Sequence, residues 1–115
     1  MAPVSAIVCT RDRAEDLAEC LAALARQDHP CFEVVVVDNA SVDDATRCVA
    51  LAAGVRCVRE ERPGLDWARN RGLREAAYDI LAFVDDDARA DPGWLTALAR
   101  GFRDPGTLAV TGLVL

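Results

Sequence analysis

The chain contains no lysine: all 13 of its basic residues are arginine. That absence excludes phosphate-loop chemistry and Schiff-base chemistry, both of which need a lysine amine. It also argues against a receiver-type signalling domain, which uses a lysine beside its acidic pocket. Histidine occurs once, at His29, too little to assemble a Ser–His or Cys–His nucleophile. The five cysteines, Cys9, Cys20, Cys31, Cys48 and Cys57, include no CxxC pair, so zinc and dithiol motifs are set aside. No apolar run approaches the ~20 residues of a membrane span. The amino-terminal MAPVSAIVC is too short, and too soon followed by charge, for a signal peptide. Positive charge is in deficit, with a net charge of −6, which disfavours nucleic acid and anionic membranes as main partners.

What is present is a core. Apolar residues make up 52% of 115 residues, enough for one domain and too much for a disordered tail. Abundant Ala and Arg without Lys point to a GC-rich bacterial genome. The cysteines are expected to be buried free thiols of a cytoplasmic protein.

Strand and helix signals alternate. Val4 to Thr10 is a β-rich run, followed by a helical pattern carrying Leu17, Cys20, Leu21 and Leu24 on one face. Asp12 and Glu15 have the spacing of a capping box. Asp28-His29-Pro30 closes this helix, with His29 expected to be a solvated loop residue. Phe32 to Val37 is almost continuously apolar, as a strand buried on both faces should be. A second helix is predicted from Ser41 and Asp44 to about Ala53, stopped by Gly54. Val55 to Val58 is a third strand. A third helix spans about Leu65 to Tyr78, with Leu65, Ala68, Gly72, Leu73 and Ala76 on one face. Ile80 to Val84 is a fourth strand, Asp91-Pro92 opens a fourth helix, and Leu108 to Leu115 reads as a fifth strand. This alternation predicts an α/β fold, a Rossmann-like parallel sheet with helices on both faces.

The unusual polarity follows the strands: Thr10-Arg11-Asp12, Asp38-Asn39-Ala40-Ser41, Arg59-Glu60-Glu61-Arg62 and Asp85-Asp86-Asp87. Ligands of open parallel sheets bind at the carboxyl ends of strands. Three adjacent carboxylates repel, and two readings remain open for them: a divalent cation, or an acidic loop favouring the next helix dipole. Asp38 could accept from a ring N–H of a base or cap the next helix. Ser41 reads as a cap and Arg69 as a surface ion-pair partner. Asn70, a poor helix former in mid-helix, hints at a contact.

Four stretches together resemble the family-2 glycosyltransferases of the GT-A fold: Ile7 to Arg13 with its Leu-rich helix, Val34 to Asp44 (VVVVDNASVDD), Ala68 to Leu73 (ARNRGL), and Phe83 to Asp87 leading to Pro92-Gly93-Trp94-Leu95. The resemblance implies local strand order 3-2-1-4 and a nucleotide-sugar donor, most often UDP-linked. By that match Thr10 and Asp12 hold the nucleoside, and Asp38 pairs with the base ring. Asp86, with Asp85, reaches the ribose, and Asp87 holds Mn2+ or Mg2+ on the diphosphate. Asn70 belongs to the matched helix and is counted with the nucleotide-sugar contacts. The implied reaction is inverting transfer to a saccharide, lipid-linked or protein acceptor, in the cytoplasm or at the inner face of its membrane.

The family's catalytic base lies in the second half of its domain, so no base is assigned. The expectation is that residues 1–115 are the nucleotide-binding portion of one longer GT-A domain. The apolar terminal strand is expected to favour pairing with a second copy. Two other readings stand beside this one. A non-catalytic nucleotide-binding module or partner subunit would share the fold. A nucleotidyltransferase would usually carry a Gly-rich loop after strand one, where this chain has Thr10-Arg11-Asp12-Arg13.

Overall fold

The computed structural model describes residues 2–101. Eight elements follow in order: β1 (Val4–Thr10), α1 (Ala14–Ala25), β2 (Phe32–Asn39), α2 (Ala45–Ala52), β3 (Arg56–Glu60), α3 (Leu65–Glu75), β4 (Ile80–Asp85) and α4 (Trp94–Gly101). The strands form one parallel sheet in the order β3-β2-β1-β4. This is the 3-2-1-4 order that the resemblance implies. The expected fifth strand, and the pairing between copies attached to it, lie outside the described residues.

Strand side chains alternate between the two faces of the sheet, and each face has its own cover. Ala6, Val8, Val34, Val36 and Val84 pack with Leu17, Cys20, Leu21 and Leu24 of α1 and Ala50 of α2. Val4 and Ala82 continue that face beneath Leu95, Leu98 and Ala99 of α4. On the opposite face Ile7, Val35 and Val37 pack against Ala68 of α3. The four valines from Val34 to Val37 are therefore all buried, which explains a continuous apolar run in place of alternation.

Gly72 lets α3 approach the sheet. A Cβ there would stand 2.5 Å from Ile7 Cγ2, inside any allowed contact. Gly54 has φ +73° after α2 and stops it as expected.

Several local expectations are corrected. Residue Arg13 precedes α1, and no side chain caps that helix. The carboxylate of Asp12 instead accepts from Val42 N at 2.8 Å, so the Asp12–Glu15 capping box does not form. Helix α2 begins at Ala45, not Ser41, and Asp44 precedes it without a side-chain cap bond. Helix α3 ends at Glu75 because Ala76 is extended; Leu65 and Leu73 of its expected buried face are about half exposed. Asp91 and Pro92 form the turn before α4, with Trp94 N bonded to Asp91 O.

His29 is not solvated. It is 3% exposed, with Nε2 2.7 Å from Ala2 O, tying the start of the chain to the loop before β2. Of the five thiols only Cys20 is fully buried; Cys9 and Cys57 are half-buried, and Cys31 and Cys48 are exposed. Among the described residues no helix is long and apolar enough to cross a membrane.

Candidate functional site

Because all four strands run parallel, their carboxyl ends lie on one edge of the sheet. Thr10 of β1 is the register partner of Asp38 of β2, and Cys9 is the partner of Asp85 in β4. The ends of β2 and β4 thus each lie one strand spacing, ~4.8 Å, from the end of β1, on its two sides.

Between β1 and β4, Thr10 Oγ1 donates to Asp86 Oδ2 at 2.9 Å. Arg13 Nη1 reaches the other oxygen, Oδ1, at 3.2 Å. Asp86 is buried, while Asp85 and Asp87 beside it are exposed. Among the described residues neither of those two carboxylates forms a side-chain hydrogen bond or ion pair. A cavity of about 200 Å³ opens here, lined by Cys9, Thr10, Arg11, Arg13, Asn39, Leu65, Ala68 and Asp86. Burial pushes the Cys9 thiol up to about 11, against the opposing charge of Arg69, with Asp86 adding to the rise. Cys9 therefore lines the cavity as a protonated thiol at neutral pH.

Between β1 and β2 the two loops brace each other. Asp12 N donates to Ser41 Oγ at 3.0 Å, and Val42 N returns the bond to Asp12 Oδ1. Asp12 and Ala40 both adopt positive φ, +54° and +57°, a conformation uncommon outside glycine. Ser41, buried, also contacts Thr46 Oγ1 at 3.3 Å. It is a brace between loops, not the helix cap expected of it.

Asp38 opens on the far side of this brace. It is 3% exposed. Its Oδ1 accepts from Ser41 N at 3.2 Å, and its Oδ2 meets Arg59 Nη1 at 3.2 Å. Asp38 therefore closes a turn and holds an arginine, and it does not cap α2. With Ser41, Arg47, Cys57 and Arg59 it lines a second cavity of about 520 Å³.

The third loop is locked from both ends. Asn39 Nδ2 donates to the carbonyls of Glu60 (3.3 Å) and Arg62 (2.7 Å), and Asn39 Oδ1 accepts from Gly64 N at 2.9 Å. Glu60 accepts from the Arg62 side chain and backbone N–H. Those bonds lower its carboxyl from an ordinary 4.5 to about 2.

The geometry thus brings together Thr10 and Asp86, with Asp85 and Asp87 exposed on either side of Asp86 in sequence. It places Asp38 in a neighbouring cavity and uses Asp12 to join the loops. Asn70 is exposed on α3 and lines neither cavity. Arg69 is exposed and, among the described residues, makes no ion pair. The sequence placed Asn39, Arg59 and Glu60 in the polar runs after the strands and Arg13 in a matched stretch, but assigned none of the four a role. All four sit at or just beyond strand ends, and that position was the available signal.

A divalent cation is compatible with this donor set. Among the described residues no three His, Cys, Asp or Glu side chains cluster as a metal cage. Exposed Asp85 and Asp87 offer one or two carboxylates, the number Mg2+ takes when phosphate and water complete its shell.

Comparison with known proteins agrees with this fold. The mannosyltransferase PcManGT of Pyrobaculum calidifontis, solved in complex with GDP-Man and Mn2+, matches with a TM-score of 0.77 and 33% identity, over 89% of this chain and 32% of that one. Residues 1–349 of TarS from S. aureus, solved in complex with UDP, match with a TM-score of 0.73 and 32% identity, over 84% of this chain and 31% of that one. The glucosyl-dolichyl phosphate glucuronosyltransferase of Haloferax volcanii is 28% identical over 119 residues, 97% of this chain. The chain spans 38% of that relative's length. The description "Glycosyl transferase family 2" matches residues 5–115, and with that match over nearly its whole length the chain belongs to glycosyl transferase family 2.

Proposed function

We propose that this chain supplies the donor side of an inverting, metal-dependent glycosyl transfer from a nucleotide sugar, with UDP as the nucleotide. One observation carries this reading: at the carboxyl edge of the sheet Thr10 is bonded to Asp86, 76 residues away in sequence, on one side and is the register partner of Asp38 on the other. Solved relatives bound to UDP or to GDP-Man with Mn2+ support it.

In this reading Asp38, buried and fixed by Ser41 and Arg59, accepts from a base ring N–H in the larger cavity. That cavity has the volume of a small-ligand site, ~300–1,000 Å³. Thr10 holds the Asp86 carboxylate toward the ribose, with Asp85 beside it. Asp12 keeps the two loops at the separation that a nucleoside requires. Asp87 is the residue that would hold a Mn2+ or Mg2+ ion. When bound, such an ion stabilises the charge that grows on a departing diphosphate. Asn70, exposed on α3, completes the set.

Transfer also needs a general base at the acceptor hydroxyl. None is assigned, and the 115-residue chain is proposed to bind donor without transferring sugar. Residues 1–115 are accordingly read as the nucleotide-binding portion of one domain.

The test is calorimetric titration of the chain with UDP, GDP and ADP, each with and without Mn2+. Tightest binding of UDP, strengthened by Mn2+, supports the reading. Equal binding of all three, or none, overturns it.

A further inference from the structure

In a chain of net charge −6, the lining of the smaller cavity holds more cations than anions, with the exposed carboxylates of Asp85 and Asp87 standing beside it. Its wall has two guanidinium groups, Arg11 and Arg13, against one carboxylate, Asp86. Arg13 is already holding an anion, because its Nη1 lies 3.2 Å from Asp86 Oδ1 with the Arg13 side chain about half exposed. Arg11 is also about half exposed. Its one ion pair among the described residues is a long one, 3.9 Å to Asp12. Among the described residues no three acidic side chains build a metal cage, so cation-mediated neutralisation here rests on one or two carboxylates.

We propose that Arg11 and Arg13 form the anion-recognition element of the site and receive the diphosphate of the nucleotide donor, Arg13 exchanging Asp86 for a phosphate oxygen as ligand enters. This rests on the donor reading above and deepens it.

The chemistry favours the exchange. A guanidinium presents forked N–H donors that match phosphate oxygens two at a time, and a diphosphate brings more negative charge than the single carboxylate it replaces. Asp86 is not left unpartnered when Arg13 departs, because Thr10 still donates to Oδ2 at 2.9 Å. Its freed Oδ1 becomes an acceptor for a ligand hydroxyl. The cavity volume agrees: about 200 Å³ is below the ~300–1,000 Å³ of a whole small-ligand site. It suits one part of a nucleotide, with the nucleoside in the larger neighbouring cavity. The lack of lysine leaves arginine as the only permanent side-chain cation available for this task.

The test compares UDP with uridine on the 115-residue chain, without metal and with Mn2+. Wild type, Arg13→Gln, Arg11→Gln and the double variant are titrated, with thermal melting to confirm folding. Arg13→Gln should lose ~10- to 100-fold in UDP affinity, about 1.4–2.8 kcal/mol, while uridine affinity moves less than about twofold. Arg11→Gln, at a more exposed position, should lose severalfold and serves if Arg13→Gln folds poorly. The UDP affinity of wild type should also fall as salt rises, and that slope should flatten in the double variant. If the folded variants keep UDP affinity within about twofold of wild type, the inference fails while the donor reading stands. If wild type binds neither UDP nor uridine, the donor reading fails and takes the inference with it.

Discussion

Thr10 and Asp86, 76 residues apart in sequence, are joined by a buried 2.9 Å hydrogen bond from the Thr10 hydroxyl. That bond closes the gap between the ends of β1 and β4. It holds the middle carboxylate of the Asp85-Asp86-Asp87 run inward and leaves its two neighbours facing solvent. One acidic triplet is thereby divided into a fixed buried group and two exposed ones.

The exposed pair leads to the first prediction. Asp87→Asn should remove the Mn2+-dependent part of UDP binding, at least about tenfold, or ~1.4 kcal/mol, with metal-free binding and melting temperature unchanged. Calorimetry with and without Mn2+ reads this directly. A variant that keeps the full metal increment would move the cation ligand elsewhere.

Asp38→Ala should lose ~1.5–3 kcal/mol of UDP affinity, the range for a hydrogen bond to a charged group. It also frees Ser41 N and Arg59 from their partner, so stability should fall too. Lost stability with unchanged affinity would mean that Asp38 only closes its turn. Titration and denaturant unfolding of one variant decide between them.

Glu60 makes stability depend on acid pH. Its folded carboxyl is lowered to about 2 from 4.5 by the Arg62 bonds. A depressed carboxylate contributes stability that is fully present above its unfolded value and is lost as pH falls through its folded value. The contribution should therefore decline between about pH 4.5 and 2. Glu60→Gln should flatten the stability profile in that window. Urea midpoints at several pH values from 7 to 2 test it, and an unchanged slope in the variant would reject it.

Gly72→Ala tests how closely α3 meets the sheet. The added methyl would stand 2.5 Å from Ile7 Cγ2, an overpacking that typically costs ~1–3 kcal/mol. This outweighs the ~1 kcal/mol that Ala gains over Gly in a helix. A net loss of stability by chemical denaturation is expected, and a stabilised variant would show that the helix can slide outward.

Thiol labelling should separate the cysteines. Cys31 and Cys48 are exposed, whereas burial pushes Cys9 and Cys20 up to about 11 and raises Cys57. At pH 8 two thiols should react promptly with an aromatic disulfide reagent and three slowly. More than two fast thiols would mean that the sheet opens locally.

Strand positions were legible in the sequence because burial on both faces of a parallel sheet leaves an unbroken apolar signal. Val4 to Thr10 and Phe32 onward needed no more than that. The strand order was not legible from periodicity; it came from the resemblance, since pairing is a long-range property. Helix starts were misplaced where a polar residue had two possible employments. Asp12 and Ser41 both look like caps, and only the folded chain shows that each serves the other's loop. His29 was misjudged for a related reason: its partners, Ala2 O and Thr96 Oγ1, lie 27 and 67 residues away. Arg59 and Arg13 were unremarkable among 13 arginines until the register placed them against Asp38 and Asp86.

The reciprocal bonds between Asp12 and the Ser41–Val42 segment have an evolutionary reading. Each loop satisfies a backbone amide of the other, so neither is an independent module. A substitution at residue 12 that removes the carboxylate would release the amide of Val42, and one at residue 41 that removes the hydroxyl would release the amide of Asp12. Replacements at these positions should therefore be tolerated in pairs, and transplanting either loop alone into a relative should cost the recipient both loops' shape.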